Sequence, residues 1–237
     1  MRDWVSHCWS VRWQWPDGLK QTQATLPHPQ AHLVFEADGR ASVHGVQRSR
    51  FERTLQGEGW VLGLKLKPGA LRPWIREPAS AWTDQVRPLA AIFGDAAQSL
   101  AQEVLALHEP QQQALRVQHF LLERLPAHDE QALLASELVA QIEQQRDWLR
   151  AEQLAAHSGL SLRSLQRLFD DYVGVSPKWV IQRYRLHEAI EQLRTEAGAP
   201  SLAELAQRLG YFDQAHFNRD FRALVGMTPG AYLRLPR

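Results

Sequence analysis

One motif occurs twice in the C-terminal half of this chain. The first copy, residues 154–177, reads LAAHSGLSLRSLQRLFDDYVGVSP, and the second, residues 205–229, reads LAQRLGYFDQAHFNRDFRALVGMTP. The offset between matched residues is 51 up to the glycine (Gly159 over Gly210) and 52 beyond it, so one extra residue lies in the turn of the second copy. A register kept over this length indicates a duplicated structural unit.

Each copy predicts a helix, a tight turn and a second helix. The glycine falls where the first helix must end with the backbone at positive φ, a conformation that costs glycine little. Ser161 and Asp213 are then the predicted N-caps of the second helices, because their side-chain oxygens can accept hydrogen bonds from free backbone N–H groups. Apolar residues at helical spacing form the predicted buried faces: Leu165, Leu168 and Phe169 in the first copy, and Phe212, Phe217, Phe221, Leu224 and Tyr232 in the second.

The opposite face of each second helix is polar. It carries Arg163, Gln166 and Arg167 in the first copy, and Gln214, His216, Asn218, Arg219 and Arg222 in the second. Long hydrogen-bond donors on an exposed face, supported by a packed helix, are typical of a recognition helix for the major groove of DNA.

The second copy also carries a longer signature. The run from Gly210 to Arg222, followed by Gly226-Met227-Thr228-Pro229, resembles the AraC/XylS family of bacterial transcription regulators. The DNA-binding domain of that family has two helix-turn-helix units joined by one long helix, and residues 131–237 match it in length, order and spacing. The resemblance implies a sequence-specific regulator, either an activator or a repressor, whose partner is double-stranded promoter DNA.

The resemblance also implies which side chains touch bases, since family members use the exposed face near the start of each recognition helix. Those positions are occupied by Arg163, Gln166 and Arg167 in the first copy and by Gln214, Ala215, His216 and Arg219 in the second. An arginine there can donate two hydrogen bonds to guanine or hold a phosphate. The alternative is that some of these arginines form salt bridges with Asp170, Asp171 or Asp220. Ala215 can offer only an apolar contact, for example to a thymine methyl group.

Charge supports DNA binding only locally. Residues 129–237 contain 13 Lys and Arg against 14 Asp and Glu, whereas residues 161–237 contain 11 against 8. A uniformly basic surface is therefore absent from the predicted domain, and the motif rather than the charge carries the assignment.

The N-terminal half predicts a β-rich domain. Trp9, Val11 and Trp13 alternate with polar residues, and residues 32–46 predict a hairpin around Asp38-Gly39. Helical spacing follows over residues 96–108 and 110–125. The order of these segments resembles an N-terminal domain that often precedes AraC-type DNA-binding domains.

The predicted fold is therefore an α+β chain of two domains. The first domain, residues 1–128, is a β-rich α+β domain with trailing helices, and the second, residues 131–237, is all-α. Residues 126–130, which contain Pro126, form the predicted linker. The helical pair over residues 96–125 either forms a dimer seam or packs on its own domain.

The N-terminal domain is the predicted site of sensing or self-association. Seven of the nine tryptophans fall within residues 1–82, and an aromatic-rich β domain can enclose an apolar or planar molecule. Trp9, Trp13, Trp60 and Trp74 are the candidate pocket residues, and ordinary core packing of these rings is the alternative. A small apolar or aromatic effector, RNA polymerase and a second copy of the chain are further candidate partners.

Several function classes lack a sequence signal. One cysteine, Cys8, excludes an internal disulfide, and no signal peptide or apolar run of membrane-spanning length is present, so a cytoplasmic protein is expected. The spacing of His28, His32 and His44 matches no metal-ligand pattern, and no catalytic or cofactor motif stands out. The alternatives to an effector-controlled regulator are a regulator that is constitutive or controlled by a protein partner, and an enzymatic domain fused to a DNA-binding domain.

Overall fold

The computed structural model describes residues 1, 3–195 and 201–234. Residues 196–200 and 235–237, which belong to the predicted DNA-binding domain, lie outside the described residues. No helix among those described is both long and apolar enough to cross a membrane.

The N-terminal part contains two sheets. Five strands form one sheet in the order β1-β6-β3-β4-β7, and β2 and β5 form a separate antiparallel pair, called here the ribbon. The strand bounds are β1 Val5–Gln14, β2 Lys20–Thr25, β3 His32–Glu36, β4 Ala41–His44, β5 Phe51–Gln56, β6 Glu58–Leu66 and β7 Val86–Pro88. The predicted strands are confirmed, as is the hairpin, in which β3 pairs with β4 from His32 opposite His44 to Phe35 opposite Ala41.

The alternation in β1 is explained by its pairing with β6. Trp9 lies opposite Gly63 and Trp13 opposite Gly59. A Cβ atom built on Gly63 would lie 2.1 Å from the Trp9 ring, and one built on Gly59 would lie 2.4 Å from the Trp13 ring. The two glycines therefore let the indole rings lie flat against the neighbouring strand, which a side chain at either position would prevent.

Four helices follow or interrupt the sheet: α1 Arg72–Ile75, α2 Ala90–Phe93, α3 Asp95–Ala106 and α4 Pro110–Leu122. Leu100 and Val104 of α3 and Phe120 of α4 are buried in one core with the sheet residues Leu33 and Phe35. The apolar face of the helical pair therefore packs on its own sheet. Leu105, Leu115 and Leu122 of the same pair remain 40%, 57% and 46% exposed, so a dimer seam on the outer side of the pair stays a prediction.

The C-terminal part is all-α, as predicted. Its helices are α5 Glu130–Gln144, α6 Ala151–Ser158, α7 Leu162–Leu168, α8 Pro177–Thr195, α9 Leu202–Arg208, α10 Gln214–Val225 and α11 Pro229–Tyr232, and a π-helical turn, Phe169–Val173, extends α7. Helices α6 and α7 form the first helix-turn-helix unit, and α9 and α10 form the second. The two units have separate cores, one around Leu165 and Phe169 and the other around Phe217 and Phe221.

Helix α8 joins the two units and is part of both cores. Val180 and Ile181, near its start, pack in the first core, whereas Ala189 and Leu193, near its end, pack in the second. At 1.5 Å per residue its length is about 28 Å. One rigid helix thus fixes the separation of the two units.

The turns of the two units confirm the predicted glycine and N-cap positions. Gly159 and Gly210 have φ angles of 68° and 69°. Ser161 accepts a hydrogen bond from the backbone N–H of Ser164, and Asp213 accepts one from that of His216. Both recognition helices are therefore capped at their first turn in the same way.

The placement of Phe212 in the second core is wrong, because this side chain is 96% exposed. In the first unit Leu160 follows the turn glycine, packs in the core and directly precedes the N-cap Ser161. In the second unit Tyr211 follows the turn glycine and packs in the core, but Phe212 lies between it and the N-cap Asp213. The residue that has no counterpart in the first copy is therefore Phe212. With Tyr211 already occupying the core position, the inserted residue is pushed outward.

Candidate nucleic-acid interface and the N-terminal cavity

The first recognition helix, α7, exposes the side chains that the sequence assigned to DNA. Arg163, Gln166 and Arg167 are exposed, while Leu165 and Leu168 on the opposite face are buried. Within the described part of the chain, neither arginine makes an ion pair or a side-chain hydrogen bond. The helix therefore presents two cations and one amide that have no internal partner there.

The second recognition helix, α10, presents a similar face. Gln214, Ala215 and Arg219 are exposed. His216 differs, since it is half-buried, lies edge-on to the Tyr211 ring at 5.2 Å, and places Nε2 3.5 Å from Asp220 Oδ2. Arg219 has no ion-pair partner among residues 3–195 and 201–234, whereas His216 already has contacts inside its own unit.

Two of the three aspartates that could have neutralised these arginines have other partners. Asp171 accepts from Arg72 Nε at 2.7 Å, and Asp220 faces His216. Over residues 3–195 and 201–234 no ion pair joins Asp170, Asp171 or Asp220 to Arg163, Arg167 or Arg219. The salt-bridge alternative therefore does not describe these arginines, and their guanidinium groups remain available.

The N-terminal part forms an open cavity of about 740 Å³ between β1, the ribbon and strands β3 and β6. Its lining includes the rings of Trp9, Trp13, Trp15 and Phe51. Two of the four candidate pocket residues, Trp9 and Trp13, are thus brought together. Trp60 and Trp74 lie elsewhere, packed against the core of the N-terminal part, where Trp74 donates to the Arg124 carbonyl oxygen at 3.0 Å.

The polar lining of this cavity combines three cations, Arg12, Arg53 and Lys65, with imidazoles that burial keeps neutral. Burial, together with the nearby Lys65 ammonium, lowers the pKa of His28 to about 3 and that of His32 to about 4. Trp9 Nε1 lies 3.3 Å from His32 Nδ1, so the two side chains hold each other in place. A cavity with aromatic walls and uncharged imidazoles suits an apolar or aromatic molecule with a few hydrogen-bonding groups.

The ribbon connects the cavity to the second helix-turn-helix unit. Phe51 of β5 lines the cavity, and the preceding Arg50 donates from Nη1 to the carbonyl oxygen of Val225, the last residue of α10. Leu26, which directly follows β2, lines the cavity and also packs on the core of the second unit. A cation at a helix C-terminus is favourable because it neutralises the carbonyl dipoles there.

Three further contacts hold the N-terminal part to α8. The Pro27 carbonyl oxygen lies 3.2 Å from His187 Nε2, and the Arg48 carbonyl oxygen accepts from Arg183 at 2.9 Å. The His28 and His187 rings meet edge to face at 4.4 Å. The sequence did not indicate any of these contacts, because each joins positions more than 130 residues apart. The two hydrogen bonds are also made to backbone carbonyls, which leave no side-chain pattern.

Acidification is expected to destabilise this junction. Burial and the Arg183 guanidinium lower the pKa of His187 to about 4, so the unfolded chain binds a proton more readily than the folded one below about pH 6.5. The stabilisation that comes from neutral His187 is present above about pH 6.5 and is lost as the pH falls toward 4, with a loss of roughly 2–3 kcal/mol. Urea unfolding at pH 7.5 and pH 5.0 measures the loss, which should be smaller in His187→Gln; an equal loss in both proteins would contradict it.

Two parts of the chain match known family models. Residues 154–235 match the family described as a helix-turn-helix domain. The chain is also similar to a putative AraC-like transcription regulator of Streptomyces lividans, with 33% identity over 91 residues. The C-terminal region is an AraC-type helix-turn-helix domain. Ahead of this AraC-type domain, residues 1–88 match a family described only as a domain of unknown function.

The relatives of the AraC-type domain are longer than the matched region. An uncharacterized HTH-type transcriptional regulator of Bacillus subtilis, YfiF, is 30% identical over 113 residues, which cover 48% of this chain and 35% of that protein. The S. lividans match covers 38% of this chain and 29% of that protein. The chain thus spans about a third of the length of these relatives. A solved structure, a probable AraC family transcriptional regulator from Rhodopseudomonas palustris, is 31% identical, covering 42% of this chain and 96% of that one, with a TM-score of 0.37.

Proposed function

We propose that this chain is a transcription regulator that binds promoter DNA sequence-specifically through α7 and α10. The observation that carries the proposal is the pair of exposed polar helix faces, at Arg163, Gln166 and Arg167 and at Gln214 and Arg219, held apart by the single helix α8. The spacing suits two major-groove faces, since one turn of B-DNA measures about 34 Å and α8 about 28 Å. In this proposal residues 131–237 read DNA and residues 1–128 sense a signal.

Selection of bound sequences from random DNA by the full chain tests this proposal. We expect an enriched site with two conserved segments about one helical turn apart, one for each unit. Affinity for that site should fall steeply with salt concentration, because contacts to phosphates release counterions. Recovery of no enriched sequence, or of a single short segment, would contradict the two-unit mode of binding.

We further propose that a small apolar or aromatic molecule in the N-terminal cavity sets the affinity for DNA. The support is the ribbon, which lines the cavity with Leu26 and Phe51 and contacts the second unit with Leu26 and Arg50. A ligand shifts an equilibrium only if it binds one state better than the other. A molecule that pushes the ribbon outward would weaken the hold of Arg50 on α10 and so change the orientation of the second unit. The proposal gives the cavity a binding role and no reaction.

Filling the cavity with a side chain is expected to remove ligand binding. Gln23 of β2 and Arg53, its partner across the ribbon, both line the cavity, whereas Thr22 lies on the other face of the strand and does not line it. Gln23→Trp and Thr22→Trp therefore form a matched pair. An effector at a hundred times its Kd stabilises the folded chain by about 2.7 kcal/mol, which raises Tm by roughly 5–10 °C. A thermal-shift screen of apolar and aromatic compounds on the full chain should find compounds that stabilise the parent and Thr22→Trp but not Gln23→Trp.

The proposed effect of a bound molecule on DNA affinity is tested with the same compounds. An effector found in this way should change operator affinity in the parent and have a smaller effect in Arg50→Ala, which lacks the contact with Val225. If no compound distinguishes Gln23→Trp from Thr22→Trp, the sensing role is contradicted and a constitutive or protein-controlled regulator remains. Operator selection by the unliganded chain tests DNA binding separately.

A further inference from the structure

The inserted residue Phe212 is unlike any other apolar side chain of the described chain. It is 96% exposed, and the next most exposed large apolar side chain, Leu115, is 57% exposed. Phe212 directly precedes Asp213, the N-cap of the second recognition helix. Full burial of a Phe side chain is worth about 1.5–3 kcal/mol, and the fold forgoes this gain. The position therefore calls for an apolar contact outside the chain.

The ordinary structural role for this position is already taken. An apolar residue just before an N-cap often packs against the fourth residue of the helix, here Phe217. In the second unit Tyr211 does this instead, with its ring centroid 5.4 Å from that of Phe217. In the first unit Leu160, which directly precedes the N-cap Ser161, packs in the core. Phe212 is thus an addition to a unit whose packing is complete without it.

The surroundings of Phe212 indicate what it meets. The first turn of α10 also exposes Ala215, and the polar side chains Gln214 and Arg219 flank it on the face proposed to enter the major groove. The N-terminal residues of a recognition helix are those that approach base edges. The major groove offers one apolar group, the C5 methyl of thymine. Two apolar side chains at this end of the helix therefore match thymine better than any other base.

We propose that Phe212, together with Ala215, reads thymine methyl groups in the segment of DNA bound by the second unit. The inference rests on the proposed DNA binding and deepens it by naming the base. The first unit has no inserted residue and carries Arg163 in its exposed first turn, so the two units would differ in the bases they prefer.

Replacing thymine by deoxyuridine removes the C5 methyl group and leaves base pairing intact, which makes it the sharpest test. The parent should bind the selected site about two- to fivefold more weakly when a thymine read by Phe212 is replaced by deoxyuridine. This is the loss expected for one buried methyl group. Phe212→Ser should bind thymine and deoxyuridine sites equally, and Phe212→Leu should retain the preference. Leu115→Ser, which also removes an exposed apolar side chain, should behave as the parent does.

Each outcome decides between clear alternatives. A selected site without thymine in the second segment overturns the inference, as does a parent that ignores the substitution or a Phe212→Ser variant that keeps the preference. If Phe212→Ser leaves DNA binding unchanged but lowers promoter activity, Phe212 serves a protein partner and the inference is wrong. Failure of the parent to enrich any DNA overturns the proposed function and this inference with it, and so is distinguishable from failure of the inference alone.

Discussion

Phe217→Ala is expected to lower the free energy of unfolding by about 3–5 kcal/mol, the usual cost of removing a buried ring from a packed core. The Phe217 side chain is fully buried, and its ring meets those of Tyr211 at 5.4 Å and Phe221 at 5.7 Å. It lies at the centre of the small core that holds α9, α10 and the end of α8 together. Urea unfolding at constant pH gives the change directly.

The Phe217→Ala variant should also lose the DNA contacts that the second unit makes. The core around Phe217 is separate from the core around Leu165 and Phe169, so α10 should open locally while the first unit stays folded. Hydrogen exchange resolved along the chain should then show faster exchange in α9 and α10 than in α6 and α7. Binding to the selected site should weaken at the second segment in particular.

Phe212→Ala is a matched control, because it makes the identical substitution in the same unit at a side chain that is 96% exposed. Its cost should stay within about 0.5 kcal/mol, as for other surface substitutions. Similar costs for the two variants would mean that the second unit has no core at Phe217, and the proposed support of α10 would fail.

Arg219→Ala is expected to weaken binding of the selected site by about 1–3 kcal/mol, or roughly five- to 150-fold, and to flatten the preference for one base pair in the second segment. The guanidinium is exposed on α10 and has no ion-pair partner among the described residues, so folding should be unaffected. Fluorescence anisotropy at fixed salt, with the selected site and single-base variants, measures both the loss and the preference. A loss that is equal for all sequences would instead place Arg219 on a phosphate.

Arg163→Ala in α7 should give a loss of similar size confined to the first segment. Because α8 separates the two helices, the losses of the double variant should add. Lys20→Ala removes an exposed cation from the ribbon and should leave affinity unchanged. If Arg219→Ala binds the selected site as the parent does, Arg219 takes no part in the proposed readout.

The local structure of the C-terminal domain could be predicted closely from sequence because its signals are local. Positive φ at Gly159 and Gly210, the caps at Ser161 and Asp213, and the start of α8 at Pro177 depend on residues within one turn of each other. The exception is Phe212, which was assigned to the core. An insertion of one residue shifts which side chain faces inward, and the spacing pattern alone does not say whether Tyr211 or Phe212 takes the inner position.

The residues that line the cavity could be predicted from the sequence only in part. Trp9 and Trp13 line it, whereas Trp60 and Trp74, with the same composition signal, pack in the core. Which aromatic residues meet depends on how the ribbon folds over β1, and this is set by pairing between strands that are distant in sequence.

What the sequence determined by itself is the duplicated scaffold: two capped helices with polar outer faces, joined by one long helix. The sequence determined it because helix periodicity and helix capping depend on residues that are close together in the chain. Only the tertiary structure decided that the ribbon lies between the cavity and α10, with Arg50 on the Val225 carbonyl oxygen and Pro27 on His187. Those contacts join positions 160 and 175 residues apart through backbone carbonyls, which every residue has and no sequence pattern distinguishes.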